Sequence, residues 1–296
     1  MPLNLRLKFD SDLGIDARRL STAVNEGLDI AKVVQLQVFA GKRSKFVGEV
    51  FEVTGDLTAD RRMELSGDLS GVHSIGRGLA IGSIIVQSNA GRHVGTSMSG
   101  GQITVQGNAG DYLGAEMTGG GIRVTGNAGD FVAGALEGSK YGMNRGEILI
   151  EGSVGVALGK RMRRGMIVVG GDVGELAAWN MLAGTIIVLG RSSDKTATDM
   201  KRGTVILAGD GVESKLKTAE GKKWAGGNTL GAAFTSGGTS QPQIVQFLGT
   251  WLQNHYPKTL SMAVKNKLLG RSFIKYNGVD LNQHRGEIFV AVAIES

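Results

Sequence analysis

The sequence predicts an all-β fold: a right-handed parallel β-helix with coils of about 19 residues, capped at both ends by mixed α/β segments. Three observations carry this prediction. Glycine supplies 48 of the 296 residues while proline supplies 3 and aromatics only 5%, so tight bends between short strands dominate. A segment of the form G-x-φ-x-φ, with φ aliphatic, begins at Gly82, Gly101, Gly120, Gly146, Gly165, Gly184 and Gly203, in steps of 19, 19, 26, 19, 19 and 19. A methionine ladder keeps the same step of 19, through Met98 and Met117 and then Met143, Met162, Met181 and Met200.

The third position of the segment reads Ile84, Ile103, Ile122, Ile148, Ile167, Ile186 and Val205, and the fifth reads Val86, Val105, Val124, Ile150, Val169, Val188 and Leu207. Alternation at period two with β-branched residues is the strand signature, and both columns are expected to point inward. Columns that persist at a step of 19 stack only if successive coils lie above one another. The longer step places a seven-residue insertion near Glu137 to Gly142, with Leu136 expected to hold the methionine place before it. Turns such as Gly107-Asn108-Ala109-Gly110 and Gly171-Asp172-Val173-Gly174 follow each strand, because glycine and Asn/Asp tolerate the backbone that a corner needs.

Such a rod exposes unpaired strand edges at both ends, and these call for covers. Residues 1–48 are expected to be an N-terminal cap, 49–211 the β-helix, and 212–296 a C-terminal extension and cap. The first cap opens with alternating Leu3, Leu5, Leu7 and Phe9. The last contains a Lys-rich stretch (Lys215, Lys217, Lys222, Lys223), helical spacing over Gln243 to Gln253, and strand-like Phe273 to Tyr276 and Gly286 to Val292.

Composition removes several chemistries. With no cysteine there is no disulfide, thiolate metal site, iron–sulfur cluster or cysteine nucleophile. The opening residues lack the apolar core of a signal peptide, and no apolar run is long enough to span a bilayer, so a soluble cytoplasmic chain is expected. A net charge of +6 suits an acidic partner or ligand; neither nucleic acid nor membrane is expected as a partner. His73, His93, His255 and His284 lack metal-ligand spacing, and no metal is expected. No nucleophile elbow, phosphate loop or dinucleotide fingerprint occurs. Glu147 and Glu151 share one segment, as polysaccharide-cleaving β-helices would require, but Gln102 and Gln106, or Met166 and Gly170, stand at the matching places. No catalytic residue is therefore expected.

Two outward features stand out. The fourth segment position changes from Ile85, Thr104 and Arg123 to Leu149, Val168, Ile187 and Ile206, an aliphatic stripe that either forms a subunit interface or lies beneath a cap or the C-terminal segment. A basic corner precedes the repeat glycines: Arg145, Arg164 and Arg202 immediately before them, Arg163 and Lys201 one place earlier, Lys160 and Arg161 nearby, with Ala183 breaking the column. Unit charges about 5 Å apart repel by about 0.8 kcal/mol in water and about 3 kcal/mol at an effective dielectric of 20. The column is thus either a solvated face or a docking strip for an acidic subunit or a polyanionic ligand.

The G-x-x-G-x-x-x-G turns (Gly107, Gly110, Gly114; Gly152, Gly155, Gly159), the Met-x-x-Gly corners ending at Gly165 and Gly203, and the entry Gly48 to Gly55 resemble the C-subunit family of formylmethanofuran dehydrogenase over roughly 45–210. Likeness is weaker at Tyr276 to Asn282 and Gly286 to Val290, and 211–272 has no counterpart in that pattern. The C-terminal domain of the glutamate synthase large subunit is similar in the repeat alone. The resemblance implies a noncatalytic subunit with catalysis on its partners. In archaea these belong to a molybdenum or tungsten enzyme. In methylotrophic bacteria they are a formyltransferase, an amidohydrolase-like hydrolase and a further noncatalytic subunit, which together move a formyl group between tetrahydromethanopterin and a methanofuran-like carrier and release formate. The bacterial complex is favoured. The chain is expected to bind no cofactor through its own residues, with its basic corner touching the carrier's polyglutamate tail in the complex.

Overall fold

The computed structural model describes residues 1–8, 14–193, 195–209, 233–240, 242–255, 264, 266–269, 271–279 and 285–291. Phe9, the four lysines from Lys215 to Lys223, and His284 lie outside them. The chain divides into two compact units, Met1–Leu149 and Ile150–Ser296.

The first unit contains β1 (Leu3–Leu7), β2 (Ile15–Asp16), α1 (Leu20–Glu26), α2 (Ile30–Val34), β3 (Gln37–Ala40), β4 (Arg43–Phe46), α3 (Val47–Val50), β5 (Phe51–Thr54), β6 (Arg62–Ser66), β7 (Val72–His73), β8 (Ser83–Val86), β9 (Gln102–Val105) and β10 (Gly121–Val124). Its main sheet runs β5-β1-β6-β8-β9-β10. From β1 to β10 every neighbouring pair is parallel, and the register sets Leu3, Met63, Ile84, Ile103 and Ile122 in one column and Leu5, Leu65, Val86, Val105 and Val124 in the next. None of these side chains is more than 3% exposed. A second line of parallel bridges joins Leu69, Ala90, Ala109 and Ala128, so these successive repeats also pair outside the named strands. A smaller sheet, β4-β3-β2-β7, stands beside it.

The second unit begins at Ile150, inside β11 (Glu147–Ile150). It continues with β12 (Met166–Val169), β13 (Thr185–Val188), β14 (Arg202–Leu207), β15 (Ala233–Ser240), α4 (Gln243–His255), β16 (Phe273–Val279) and β17 (Arg285–Ala291). Parallel pairing aligns Ile167 with Ile186 and Val205, and Val169 with Val188 and Leu207. Beyond β14 the sheet order is β17, β16, β15.

The termini do more than cover the ends. β1 enters the first unit's ladder as a parallel rung, and the antiparallel β5 then closes that edge through Leu5–Val53 and Leu7–Phe51. β17 likewise continues the second unit's ladder, with Gly286 on Gly203, Ile288 on Val205 and Val290 on Leu207, before β16 turns the sheet antiparallel. The expected borders at 48/49 and 211/212 are therefore crossed by hydrogen-bonded strands. An end rung leaves a row of backbone donors and acceptors unpaired, and a strand from either terminus satisfies them.

The insertion also corrects one residue of the methionine ladder. Asn144 N–H donates to the Met117 carbonyl at 2.8 Å, as Thr118 N–H does to Met98, so Met143 and not Leu136 stacks next after Met117. Met143 is 0% exposed, whereas Leu136 is only half-buried, at the start of the inserted loop. Gly114 makes room beside this corner mainly for Ile148, whose Cδ1 an added Cβ would strike, with Ile122 Cδ1 at 3.2 Å and the Met117 sulfur at 3.4 Å.

Candidate functional site

In the second unit the corner before each repeat glycine is built from the buried methionine outward. Met162, Met181 and Met200 are 0% exposed, and their N–H groups donate back to Gly159, Ala178 and Ala197 across a tight turn. The next residue on each rung bonds to the rung before it: Leu182 N–H to the Met162 carbonyl at 2.7 Å, and Lys201 N–H to the Met181 carbonyl at 2.8 Å. These bonds align Arg163, Leu182 and Lys201 in one column and Arg164, Ala183 and Arg202 in the next. Arg163, Arg164, Lys201 and Arg202 are exposed, and Leu182 and Ala183 are partly exposed between them. The backbone register carries the second column one rung further, to Arg285 opposite Arg202.

Lys160 and Arg161 lie on the other side of Met162. The Lys160 ammonium stands 4.7 Å from the centre of the Trp179 ring one coil on, a cation–π contact. Asp199, partly exposed, follows Arg161 and Asn180 in their column, so the cationic face has an acidic border. In the first unit Arg145 is also exposed, directly after the rung bond from Asn144.

The aliphatic stripe is not a free surface. Leu149, in the first unit, is 3% exposed; Val168, Ile187 and Ile206, in the second, are 1%, 0% and 0% exposed within this one chain. The strands record the change, from alternate burial in β8, β9 and β10 to three consecutive buried residues in β12, β13 and β14. Within the second unit the C-terminal segment reaches these strands, with Lys267 Nζ donating to the Leu189 carbonyl at 2.7 Å and Arg271 to the Ala208 carbonyl at 3.3 Å. Side chains already withdrawn from solvent have no area left to give a partner, so the interface expected at these four residues is corrected to an internal contact.

One feature lies outside the sequence expectations. His93, Tyr112 and Phe131, 19 apart, stack with ring centroids 5.0 and 5.1 Å apart and planes within 9° and 11° of parallel. All three have left-handed backbone (φ 64, 60 and 57), as Ser74 does one coil earlier (φ 61). That conformation costs a non-glycine residue about 1–2 kcal/mol, which contact between the rings offsets in part. The spacing was the available signal, but the residue type changes at every step. His73 accepts a hydrogen bond at Nδ1 from Arg92 N–H at 3.1 Å, again one coil on. Burial, and then the charge of Arg92, hold the His73 imidazole below its ordinary pKa; burial, then Arg77 and Arg92, do the same for His93. Glu147 is exposed and Glu151 partly so. Among the described residues no group of three or more histidines and carboxylates is arranged to hold a metal ion, and no helix is long and apolar enough to cross a membrane.

The family described by its GXGXG motif matches residues 75–222, half of the chain. The chain belongs to the GXGXG motif family. The C subunit of the molybdenum-containing formylmethanofuran dehydrogenase 1 of Methanothermobacter thermautotrophicus is 36% identical over 88 residues, as is that of Methanothermobacter marburgensis. Each match covers 30% of this chain and 22% of the relative, so the chain spans about a fifth of the length of these curated relatives. A chain in the crystal structure of the formyltransferase/hydrolase complex (FhcABCD) from Methylorubrum extorquens, in complex with methylofuran, superposes with a TM-score of 0.79 at 30% identity. That likeness covers 98% of this chain and 100% of the other.

Proposed function

We propose that this chain is a noncatalytic subunit of a cytoplasmic formyltransferase/hydrolase complex, one that moves a formyl group between tetrahydromethanopterin and a methanofuran-like carrier and releases formate. The observation that carries it is the end-to-end likeness to a chain of the Methylorubrum complex. The partial matches to the C subunit of formylmethanofuran dehydrogenase support the same chemistry of carrier but extend over far less of the chain. In this reading the partners, a formyltransferase, an amidohydrolase-like hydrolase and a further noncatalytic subunit, hold the reacting groups.

The fold suits a scaffold. Parallel rungs in register, with bridges at Leu69, Ala90, Ala109 and Ala128, and at Val154 and Val173, support closed coils of a right-handed β-helix. The exposed corner columns then offer repeated groups at fixed spacing. Arg145, Arg163, Arg164, Lys201 and Arg202 are the groups through which the chain meets an acidic partner or the carrier's polyanionic tail; guanidinium and ammonium donors fit carboxylates. The chain's own residues bind no other cofactor in this account.

Mild purification of the native protein tests it. Formyltransferase and amidohydrolase-like companions are expected, with formate release by the assembly and none by the isolated chain. Molybdopterin and iron–sulfur companions would move the chain to the dehydrogenase branch, and turnover by the chain alone, lost on changing Glu147 or Glu151, would overturn the noncatalytic assignment. Reversing Arg164 and Arg202 to Glu together should weaken retention of the acidic partner or carrier and make what remains less dependent on salt.

A further inference from the structure

The basic face of the second unit is a frame, and its interruption is informative. Arg163 and Arg164 form one cationic pair, Lys201 and Arg202 another, and between them the same two columns hold Leu182 and Ala183, partly exposed. Adjacent rungs lie about 4.8 Å apart, so the two cationic pairs are about 9.6 Å apart along the stack. A ligand that complements this face therefore carries anions at about that spacing and a hydrocarbon group midway.

We propose that this face docks an acidic amphipathic α-helix of a partner subunit, laid along the stack with carboxylates at i and i+7 and an apolar residue at i+3 or i+4. A helix rises 1.5 Å per residue, so i and i+7 are about 10.5 Å apart on one face, with i+3 and i+4 halfway between. An extended strand repeats its face every 6.6 Å or so and reaches about 13 Å at i+4, which misses the second pair. A uniformly charged tail would gain from a cation at every rung, and here the middle rung places Leu182 and Ala183 against its carboxylates, which are costly to desolvate without a partner. The i+3 or i+4 side chain buries against Leu182 and Ala183 while the cations flank the interface, the arrangement of apolar centre and charged rim common to protein contacts. Asp199, at the border, repels a carboxylate displaced from the frame and so fixes the helix laterally.

This inference rests on the assignment of the chain as a subunit, and the test separates the two. In the purified complex, Ala183→Arg supplies the missing cation. The helix account expects partner dissociation at roughly tenfold higher complex concentration than in the wild type, measured by mass photometry, with carrier content unchanged. Leu182→Gln, which adds no charge, should weaken association several-fold, and a photoreactive amino acid at position 182 should crosslink to a partner peptide with acids seven apart around an apolar residue. Unchanged or tighter association with more carrier retained on Ala183→Arg, or crosslinking to the carrier, would overturn the helix and favour the tail. If the wild-type chain has no partner subunits, the assignment as a subunit fails instead.

Discussion

Replacing Gly174 by Ala perturbs the stacking of coils at a point where nothing can give way. A Cβ there would lie 2.8 Å from both the carbon and the oxygen of the Gly155 carbonyl and 3.0 Å from Val156 N, all backbone of the coil before. The Gly174 N–H also donates to that coil, to the Val154 carbonyl at 3.0 Å. Overpacking costs about 1–3 kcal/mol and a weakened backbone hydrogen bond about 1 kcal/mol more. The smaller conformational freedom of Ala in the unfolded chain returns about 0.5–1 kcal/mol, for a net loss of about 1–3.5 kcal/mol. Gly138 is the control: it has φ +78 but open space around its Cβ position, so Gly138→Ala should cost only about 1 kcal/mol, from left-handed backbone alone. Urea unfolding with unchanged slope reads both. If Gly174→Ala proved no more damaging than Gly138→Ala, the close packing of neighbouring coils would be refuted.

Other consequences are equally measurable. Ile186→Ala, at a core position 0% exposed, should cost about 2–5 kcal/mol by denaturant midpoint, and Ile186→Val about 0.5–1.5 kcal/mol. The folded state holds His73 and His93 below their ordinary pKa and so favours the neutral rings; stability is full above about pH 6.5 and falls as pH drops through the folded-state values. His73→Gln should flatten part of that decline below about pH 6.5, and an unchanged slope would remove His73 as its source. Asp172 accepts from Arg191 N–H at 2.7 Å and pairs with its guanidinium at 2.7 Å, but the pair is largely in solvent, so Asp172→Asn should cost under about 1 kcal/mol at low salt and less at high salt.

The step of 19 made most of the strand ladder legible, because successive repeats reuse one geometry and so repeat an aliphatic pair, a corner glycine and, from Met98 on, a methionine. It did not reveal the end rungs. β1 carries no repeat glycine, and Gly286 stands far along the chain from Gly203, so only backbone pairing exposes them. The positions of Arg163, Arg164, Lys201 and Arg202 on one exposed corner were legible, since register alone sets them. The fate of Val168, Ile187 and Ile206 was not: a hydrophobic outward column is equally consistent with a partner and with cover from the same chain, and burial within the chain decides the matter. The aromatic stack stayed hidden because His, Tyr and Phe share a face but not a residue class.

The chain's lack of cysteine allows one direct test of the register on which the exposed frame depends. Leu182→Cys with Lys201→Cys should oxidise readily to a disulfide, since neighbouring rungs set the two Cα atoms about 4.8 Å apart, within bridging range. Leu182→Cys with Ser193→Cys, on different columns, should stay reduced under the same conditions. Equal yields from the two pairs, or bridging of the second alone, would contradict the account.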